Sequence, residues 1–238
     1  PVDPESVRRF AAGAKAVADL RHPHIASVVD HGQTADGMLW VATELLEGRT
    51  LRQILEDDGA LEATRALWLV SDALRAVQEA HDLGLVHGGL QPDTLFVTVT
   101  EEGEEIVKLL DFGIAGYHGG PNIQSLSPDE RAIRHGLDLV QLPTYRAPEQ
   151  LLGATEQASD QYALGAILYH MLMGRPPFDT VDVAHLTAQI LHDPVPPFAA
   201  ARSDLMLPVF LERAIQRALT RRPADRFASA RDMRHALR

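Results

Sequence analysis

The most informative stretch of this sequence is Val86-His87-Gly88-Gly89-Leu90-Gln91-Pro92-Asp93-Thr94-Leu95-Phe96-Val97. An apolar helical pattern precedes it and ends at Gly84, as expected for a helix C-terminus. The residues that follow predict a short β hairpin with an acidic turn, which leads to Asp111-Phe112-Gly113. The rest of the chain is organised around this order of helix, loop, hairpin and Asp-Phe-Gly.

Composition excludes several classes of protein. The chain has 238 residues, 45% of them hydrophobic, with a net charge of −11 and no cysteine. Thiol catalysis, disulfides and thiolate metal sites are therefore excluded, and the negative charge argues against binding to nucleic acid. The longest apolar run is too short to insert into a membrane. With no visible signal peptide, we expect a cytoplasmic protein, or the cytoplasmic part of a longer one, since the chain opens on Pro1.

Hydrophobic periodicity predicts an α+β fold that is mostly helical. Helices are expected at residues 4–20, 61–83, 160–173, 181–191, 208–219 and 229–237. Strands are expected at residues 25–30 and 38–44, and as a hairpin that begins at Phe96 and returns over residues 106–110. Residues 47–51 are expected to open a further helix, with Thr50 as its N-cap.

Five motifs occur along the chain in a fixed order. They are Asp111-Phe112-Gly113, Ala147-Pro148-Glu149, Ser159-Asp160-Gln161-Tyr162-Ala163-Leu164-Gly165, Gly174-Arg175-Pro176-Pro177-Phe178 and Ala224-Asp225-Arg226-Phe227. Each motif is weak alone, but together they resemble the eukaryotic-like Ser/Thr protein kinases of bacteria. The resemblance covers essentially the whole chain and implies a protein kinase-like fold, with a helical large lobe and a truncated small lobe that contains β strands.

The same resemblance implies the domain boundaries. Residues 1–43 correspond to a partial small lobe, residues 44–48 to the hinge and residues 49–238 to the large lobe. In this family the glycine-rich loop and the lysine that binds the nucleotide phosphates lie upstream of the first helix, so neither falls within these 238 residues. The sequence leaves open whether a longer parent protein supplies them. If it does not, the small sheet has an unpaired edge, which invites a partner.

The resemblance also implies a degenerate catalytic loop. The family's loop reads His-Arg-Asp-Leu, three variable residues and Asn. Gly88 stands in place of its Arg, Gly89 in place of the catalytic Asp, Gln91 in place of a Lys and Thr94 in place of the Asn. Gly13 occupies the position of the glutamate that normally pairs with the nucleotide lysine. A glycine can neither accept nor orient a proton, and a threonine is a poor replacement for a metal-binding amide.

A nucleotide site is implied in part. Thr43 corresponds to the gatekeeper, Glu44 and Leu46 to hinge residues whose backbone binds adenine, and Phe96 to a side chain below the adenine ring. Asp111 corresponds to a ligand of Mg²⁺, although it could equally be a structural residue at a turn. Because the phosphate-binding groups are altered, we expect ATP and Mg²⁺ to bind weakly or not at all.

The remaining motif residues are expected to hold the fold. They are His87, Phe112, Gly113, Glu149, Asp160 and Arg226. Glu149 is expected to pair with Arg226, and Asp160 to bind the backbone of the His87 loop. Ser125 and Ser127 are expected to be plain loop residues, because the arginine that would bind a phosphate there is Gly88.

These observations predict a pseudokinase that binds a protein partner as a signalling scaffold or allosteric regulator. One alternative is a weakly active ATP-dependent Ser/Thr kinase, and another is a nucleotide-binding switch without phosphoryl transfer. The His-Gly pair at positions 87 and 88 also resembles small-molecule kinases such as the aminoglycoside phosphotransferases, but the later motifs belong to protein kinases.

Overall fold

A computed structural model describes residues 4–35, 37, 39–100, 102–112, 142–198 and 207–238. Its helices are α1 (Pro4–Asp19), α2 (Leu51–Asp58), α3 (Ala63–Asp82), α4 (Pro148–Leu151), α5 (Gln157–Met173), α6 (Val183–His192), α7 (Val209–Ala218) and α8 (Ala230–Ala236). Its strands are β1 (Val28–Gln33), β2 (Leu39–Thr43), β3 (Gly48–Thr50), β4 (Leu95–Val99) and β5 (Glu105–Leu109). The six helices predicted from periodicity are present, each within three residues of the expected ends.

The strands form two antiparallel sheets. One contains β1 and β2, and the other has the order β3-β4-β5. The predicted start of the first strand at residue 25 is wrong, because Ile25 makes only an isolated parallel bridge to Leu109. The N–H of Leu109 donates to the carbonyl of His24, and the N–H of Ala26 donates to the carbonyl of Leu109. These bonds hold residues 24–26 against β5, so the turn after α1 is attached to the hairpin that leads to Asp111.

Strand β3 was not expected from the sequence. Residues 47–51 were predicted to open a helix, and the hinge was predicted to extend to Gly48, but Gly48 begins a strand that pairs with β4. Gly48 has a φ of 151°, and a Cβ atom there would lie 2.1 Å from the carbonyl oxygen of Val97. Only glycine permits this approach. Helix α2 then begins at Leu51, with Thr50 as its predicted N-cap accepting from the N–H of Gln53.

The core of the large lobe is built on α3 and α5. Helix α3 buries one stripe, consisting of Ala66, Val70, Ala73, Val77 and Ala80, as its periodicity predicts. Helix α5 is buried on nearly every side, which explains why it is apolar along its whole length. These two helices pack together and hold the loop between α3 and β4 in place. No helix in the described residues is long and apolar enough to cross a membrane.

Candidate functional site

Asp160 anchors the loop that follows α3. It lies in the first turn of α5 and is 1% exposed. Its carboxylate accepts hydrogen bonds from the N–H of His87 at 2.9 Å and from the N–H of Gly88 at 2.8 Å. It also bonds to Nε2 of His81 at 2.8 Å. The predicted contact between Asp160 and the loop backbone is therefore present, and two loop N–H groups that would otherwise be buried without partners are satisfied.

His87 connects this loop to the end of the hairpin. Its Nε2 lies 2.9 Å from the carbonyl oxygen of Leu110, which can only accept, so Nε2 carries the proton. Its Nδ1 accepts the N–H of Gly89 at 3.3 Å. Burial lowers the pKa of His87 below its ordinary value of 6.5, which agrees with a neutral ring. The ring centroid of Phe112 lies 4.6 Å away, so the structure brings together two of the residues expected to hold the fold.

Gly88 is fitted to its surroundings as a glycine. Its φ is 69°, in the left-handed region, and a Cβ atom there would lie 2.9 Å from the γ-methyl of Thr155. Its carbonyl accepts from Nε2 of Gln150 at 2.7 Å, and its N–H is held by Asp160. Any larger residue at this position, including arginine, would therefore require Thr155 to move.

The catalytic-type part of the loop closes on itself. The hydroxyl of Thr94 accepts the N–H of Gln91 at 3.1 Å and donates to the carbonyl of Gln91 at 3.0 Å. Thr94 is 5% exposed. Arg52 forms an ion pair with Asp93. Its Nε lies 2.7 Å from Oδ1 of Asp93, and its Nη2 lies 2.7 Å from Oδ2. Gly89 offers no side chain. The polar side chains of Asp93 and Thr94 are both engaged by other groups of the protein.

The hinge backbone is partly available to a ligand. The N–H of Glu44 donates to the carbonyl of Ser27 at 2.9 Å. Among the described residues, no backbone group bonds to the carbonyl of Glu44 or to the N–H of Leu46. Both groups belong to hinge residues whose backbone the resemblance assigns to adenine. Thr43 precedes them as an exposed residue at the end of β2.

Lys108 fixes the side chain of Glu44. Its Nζ lies 2.8 Å from Oε1 of Glu44, which also accepts the N–H of Ser27 at 2.9 Å. Burial works to raise the pKa of Glu44, but the bonds from Lys108 and Ser27 outweigh it and hold the pKa below its ordinary value. In the sheet, Lys108 and Thr50 flank Phe96 in register. The structure thus brings Glu44 and Phe96 together through Lys108.

Asp111 is the one expected metal ligand that remains free in the loop region. It is exposed, and its φ of 59° makes it the only non-glycine residue with a positive φ in the described part of the chain. A single carboxylate together with phosphate oxygens can hold one Mg²⁺. Thr94 is a poor second ligand, because its side chain is 5% exposed and its hydroxyl already bonds to both backbone groups of Gln91. Over the described ranges, no group of three or more His, Asp or Glu residues could hold a metal.

Glu149 and Arg226 form the expected ion pair. Nη1 of Arg226 lies 2.7 Å from Oε1 of Glu149, and Nη2 lies 2.8 Å from Oε2. The Arg226 side chain is 0% exposed and also donates to the carbonyls of Ala158 and Thr220, while Ser159 donates to Glu149. Burial works to raise the pKa of Glu149, but the bonds from Arg226 and Ser159 hold it below its ordinary value.

Some expected residues cannot be placed, and some contacts were missed. Gly113 and the serines Ser125 and Ser127 lie outside the described residues. The pairs Lys108–Glu44 and Arg52–Asp93 were not predicted. Their partners lie 64 and 41 residues apart, so no local spacing indicates either pair, and only the position of Lys108 three residues before Asp111 marked it as close to the site.

Comparison with known proteins identifies the class. The model of the protein kinase domain matches residues 3–235, so the chain belongs to the protein kinase family. The solved kinase domain of PknI from Mycobacterium tuberculosis superposes with a TM-score of 0.72 at 31% identity, covering 99% of this chain and 79% of that one. The predicted α+β kinase-like fold is therefore confirmed.

The curated relatives define the family more closely. The Ser/Thr protein kinase pkn3 of Myxococcus xanthus is 37% identical over 229 residues, which is 96% of this chain and 41% of the relative. PknB of Mycolicibacterium smegmatis is 32% identical over 237 residues, 98% of this chain and 36% of the relative. The chain is thus a member of the bacterial-type Ser/Thr protein kinase family, and it spans less than half the length of these relatives.

Proposed function

We propose that this chain is a pseudokinase domain that transfers phosphate very slowly or not at all. It acts as a signalling scaffold or allosteric regulator by binding a protein partner, in the cytoplasm, rather than nucleic acid or a membrane surface. ATP and Mg²⁺ bind weakly or are absent. This proposal is confined to the domain described, because the relatives are more than twice its length.

The observation that carries the proposal is that the Thr94 hydroxyl is bonded within the loop, while Gly89 has no side chain. The Thr94 hydroxyl accepts from the N–H and donates to the carbonyl of Gln91, and Thr94 is 5% exposed, so it offers a metal at most one buried lone pair in place of an amide carbonyl. Gly89 supplies no general base. Removing a positioned base lowers the rate of proton transfer by about 10²–10⁴-fold, and the loss of one metal ligand adds to that effect.

The preference for a protein partner rests on the β1–β2 sheet. In the described part of the chain, β2 pairs only with β1, so one edge of the sheet carries unpaired backbone groups. Val29 and Trp40 on these strands are exposed. An open edge with exposed apolar side chains is suited to the addition of a strand from another segment or protein.

The test is a phosphoryl-transfer assay on the full-length protein with labelled ATP, Mg²⁺ and a generic Ser/Thr substrate. We expect wild-type turnover to lie far below the roughly 1–100 per second typical of kinases. The double variant Gly89→Asp/Thr94→Asn should transfer phosphate faster, since Gly89 is not among the glycines with positive φ and accepts an aspartate. Wild-type turnover in the kinase range that Asp111→Ala abolishes would contradict the proposal.

The second candidate is a weakly active ATP-dependent Ser/Thr kinase. It is favoured by the intact framework around Asp160 and by the exposed carboxylate of Asp111, and the curated relatives are Ser/Thr protein kinases. Slow transfer that requires Asp111 and is unaffected by Gly89→Asp would favour this candidate. A nucleotide switch without transfer is the third, and the unbonded backbone groups of Glu44 and Leu46 favour it.

A further inference from the structure

A small polar cavity lies on the side of the large lobe where α3, α8 and the turn after α1 meet. Its volume is about 210 Å³, and the charged and titratable residues that line it are His22, Arg75, Glu79, Asp82, Arg231 and Arg234. The cavity shares no lining residue with the site described above. Three of its six charged or titratable residues are arginines, in a chain whose net charge is −11.

Two of these arginines are held loosely. Arg75 lies 3.5 Å from Asp72, and Arg231 lies 3.6 Å from Asp82. Charge-assisted hydrogen bonds are normally about 2.7–2.9 Å long, and Arg226 meets its carboxylate at 2.7 Å. A guanidinium has five N–H donors, so Arg75 and Arg231 keep donors that can turn toward the cavity.

The third arginine has no partner in the described part of the chain. The Arg234 side chain makes no hydrogen bond or ion pair with any described residue, and it is half-buried at the cavity. Burial, followed by repulsion from Arg238, Arg75 and Arg231, lowers the pKa of Arg234. Asp82 lies 3.6 Å from Arg231, but the Arg234 side chain has no such partner among the described residues. Four guanidinium groups thus share one region, and an anion among them would relieve their mutual repulsion.

His22 adds a neutral donor to the same cavity. Its Nδ1 accepts the N–H of His24 at 3.2 Å, so in the neutral ring the proton lies on Nε2. Burial, then His24, lowers the pKa of His22, with Glu79 acting in the opposite direction and Arg75 lowering it further. The ring is therefore neutral near pH 7 and offers one N–H.

We propose that this cavity binds a tetrahedral oxyanion, namely phosphate or a phosphate monoester. The planar forks of Arg75, Arg231 and Arg234 suit the bidentate recognition of phosphate oxygens, and they approach from two helices rather than from one. Glu79 and Asp82 also line the cavity, so a single compact anion fits better than an extended polyanion. The site does not depend on the function proposed for the catalytic-type loop.

The experiment measures the thermal unfolding of the full-length protein during titration with inorganic phosphate, against sodium chloride of equal ionic strength. We expect a phosphate-specific rise in the melting temperature. Hydrogen bonds to charged groups contribute enough for Arg234→Gln to weaken the apparent affinity about tenfold or more. Arg213→Gln, which alters an exposed arginine of α7 outside the cavity, should leave the affinity unchanged within about twofold.

Two results would overturn the proposal. One is a response to phosphate no larger than that to chloride, and the other is an equal response in wild type and Arg234→Gln. If Arg234→Gln does not fold, Arg231→Gln provides the same comparison. A second titration with a short phosphoserine peptide identifies the source of the anion. Binding of the peptide that is tighter than binding of phosphate indicates a phosphorylated protein as the source. Equal or weaker binding indicates free phosphate. Either result requires that the cavity binds the anion.

Discussion

The two ends of the loop after α3 differ in what they retain. At its start, His87 and Gly88 are bound to Asp160, and His87 packs on Phe112. A few residues later, Gly89 has no side chain and the Thr94 hydroxyl bonds to the backbone of Gln91 within the loop. The first part is held by buried contacts to Asp160 and Phe112. The second part has a glycine and a threonine at positions where the family resemblance implies an aspartate and an asparagine.

Under the proposed pseudokinase function, the fold and the chemistry of this domain depend on separate residues. Glu149, Asp160 and Arg226 are buried, and the loss of any one would leave a charge or an N–H group without a partner in the interior. Gly89 and Thr94 impose no such requirement, because a missing side chain at a loop and a self-bonded hydroxyl leave nothing unsatisfied. Catalytic groups can therefore be lost while the framework remains.

The largest loss of stability is expected from Arg226→Ala. It leaves the Glu149 carboxylate buried without its partner, which should lower the free energy of unfolding by roughly 3–5 kcal/mol. For a chain of this size, that corresponds to a fall in melting temperature of roughly 6–20 °C. Thermal unfolding followed by circular dichroism measures both quantities. Arg213→Ala, at an exposed position, is the control and should change stability by no more than about 0.5 kcal/mol.

An unchanged melting curve for Arg226→Ala would show that the pair is not formed in solution. The comparison between the two parts of the loop would then lose its basis. A fall in stability without any change in the weak activity would support it, because the framework would be separable from the chemistry.

A smaller effect is expected from Asp160→Asn. The amide oxygen can accept the N–H of His87 or of Gly88, but the amide nitrogen then faces the other donor. One buried N–H group is left unsatisfied, which should cost about 1–3 kcal/mol. Denaturant unfolding measures this, with Asp193→Asn at an exposed helix end as the control. Equal stability of wild type and Asp160→Asn would mean that the loop does not depend on this carboxylate.

Much of this framework could be predicted from sequence. Periodicity located α3 and α5, and the family motifs indicated the Glu149–Arg226 pair and the contact of Asp160 with the loop. These residues are recognisable because a buried charge tolerates few partners. Thr50 was also predicted as a helix N-cap, since capping depends on local chemistry alone.

Other features depended on contacts that a linear pattern does not contain. Strand β3 was missed because its three residues gain their strand character from pairing with β4, far along the chain. The pair Lys108–Glu44 joins the hairpin to the hinge across 64 residues. The engagement of Thr94 with Gln91 could not be foreseen either, because the sequence shows a hydroxyl but not where it points.

Acid should weaken the framework through Glu149. Its folded pKa lies below the ordinary value of 4.5, so the pair contributes fully above the unfolded pKa and its contribution is lost as the pH falls through the folded pKa. The stability difference between wild type and Glu149→Gln should therefore be largest near neutral pH and shrink below about pH 4.5. The effect should be smaller than that of Arg226→Ala, because a protonated carboxyl still forms hydrogen bonds.

Chemical unfolding across pH 3–7 measures this dependence. Glu102→Gln, at an exposed position in the hairpin turn, should follow the wild-type profile throughout. A gap between wild type and Glu149→Gln that widens in acid would contradict the direction of the Glu149 shift.

The smallest effect is expected from nucleotide, and it tests the second part of the loop directly. The carbonyl of Glu44 and the N–H of Leu46 have no backbone partner among the described residues, but Thr94 is a poor second metal ligand and Gln91 carries no charge. Millimolar ATP near its dissociation constant should stabilise the fold by about 0.4 kcal/mol, against about 2.7 kcal/mol at 100 times that constant. Mg²⁺ should add little. Thermal unfolding with ATP, with and without Mg²⁺, measures both.

Asp111→Ala separates the two interpretations of the nucleotide response, and Asp193→Ala, at an exposed residue away from the loop, is its matched control. If the site binds adenine but holds the phosphates poorly, the small stabilisation by ATP persists in Asp111→Ala, since the hinge groups belong to the backbone. A large shift that needs Mg²⁺ and disappears in Asp111→Ala alone would mean that one carboxylate suffices to hold the metal and phosphates. The loop would then serve a nucleotide switch. Only the position of Gly89 would lack its function, and the rest of the loop would still bind metal and nucleotide.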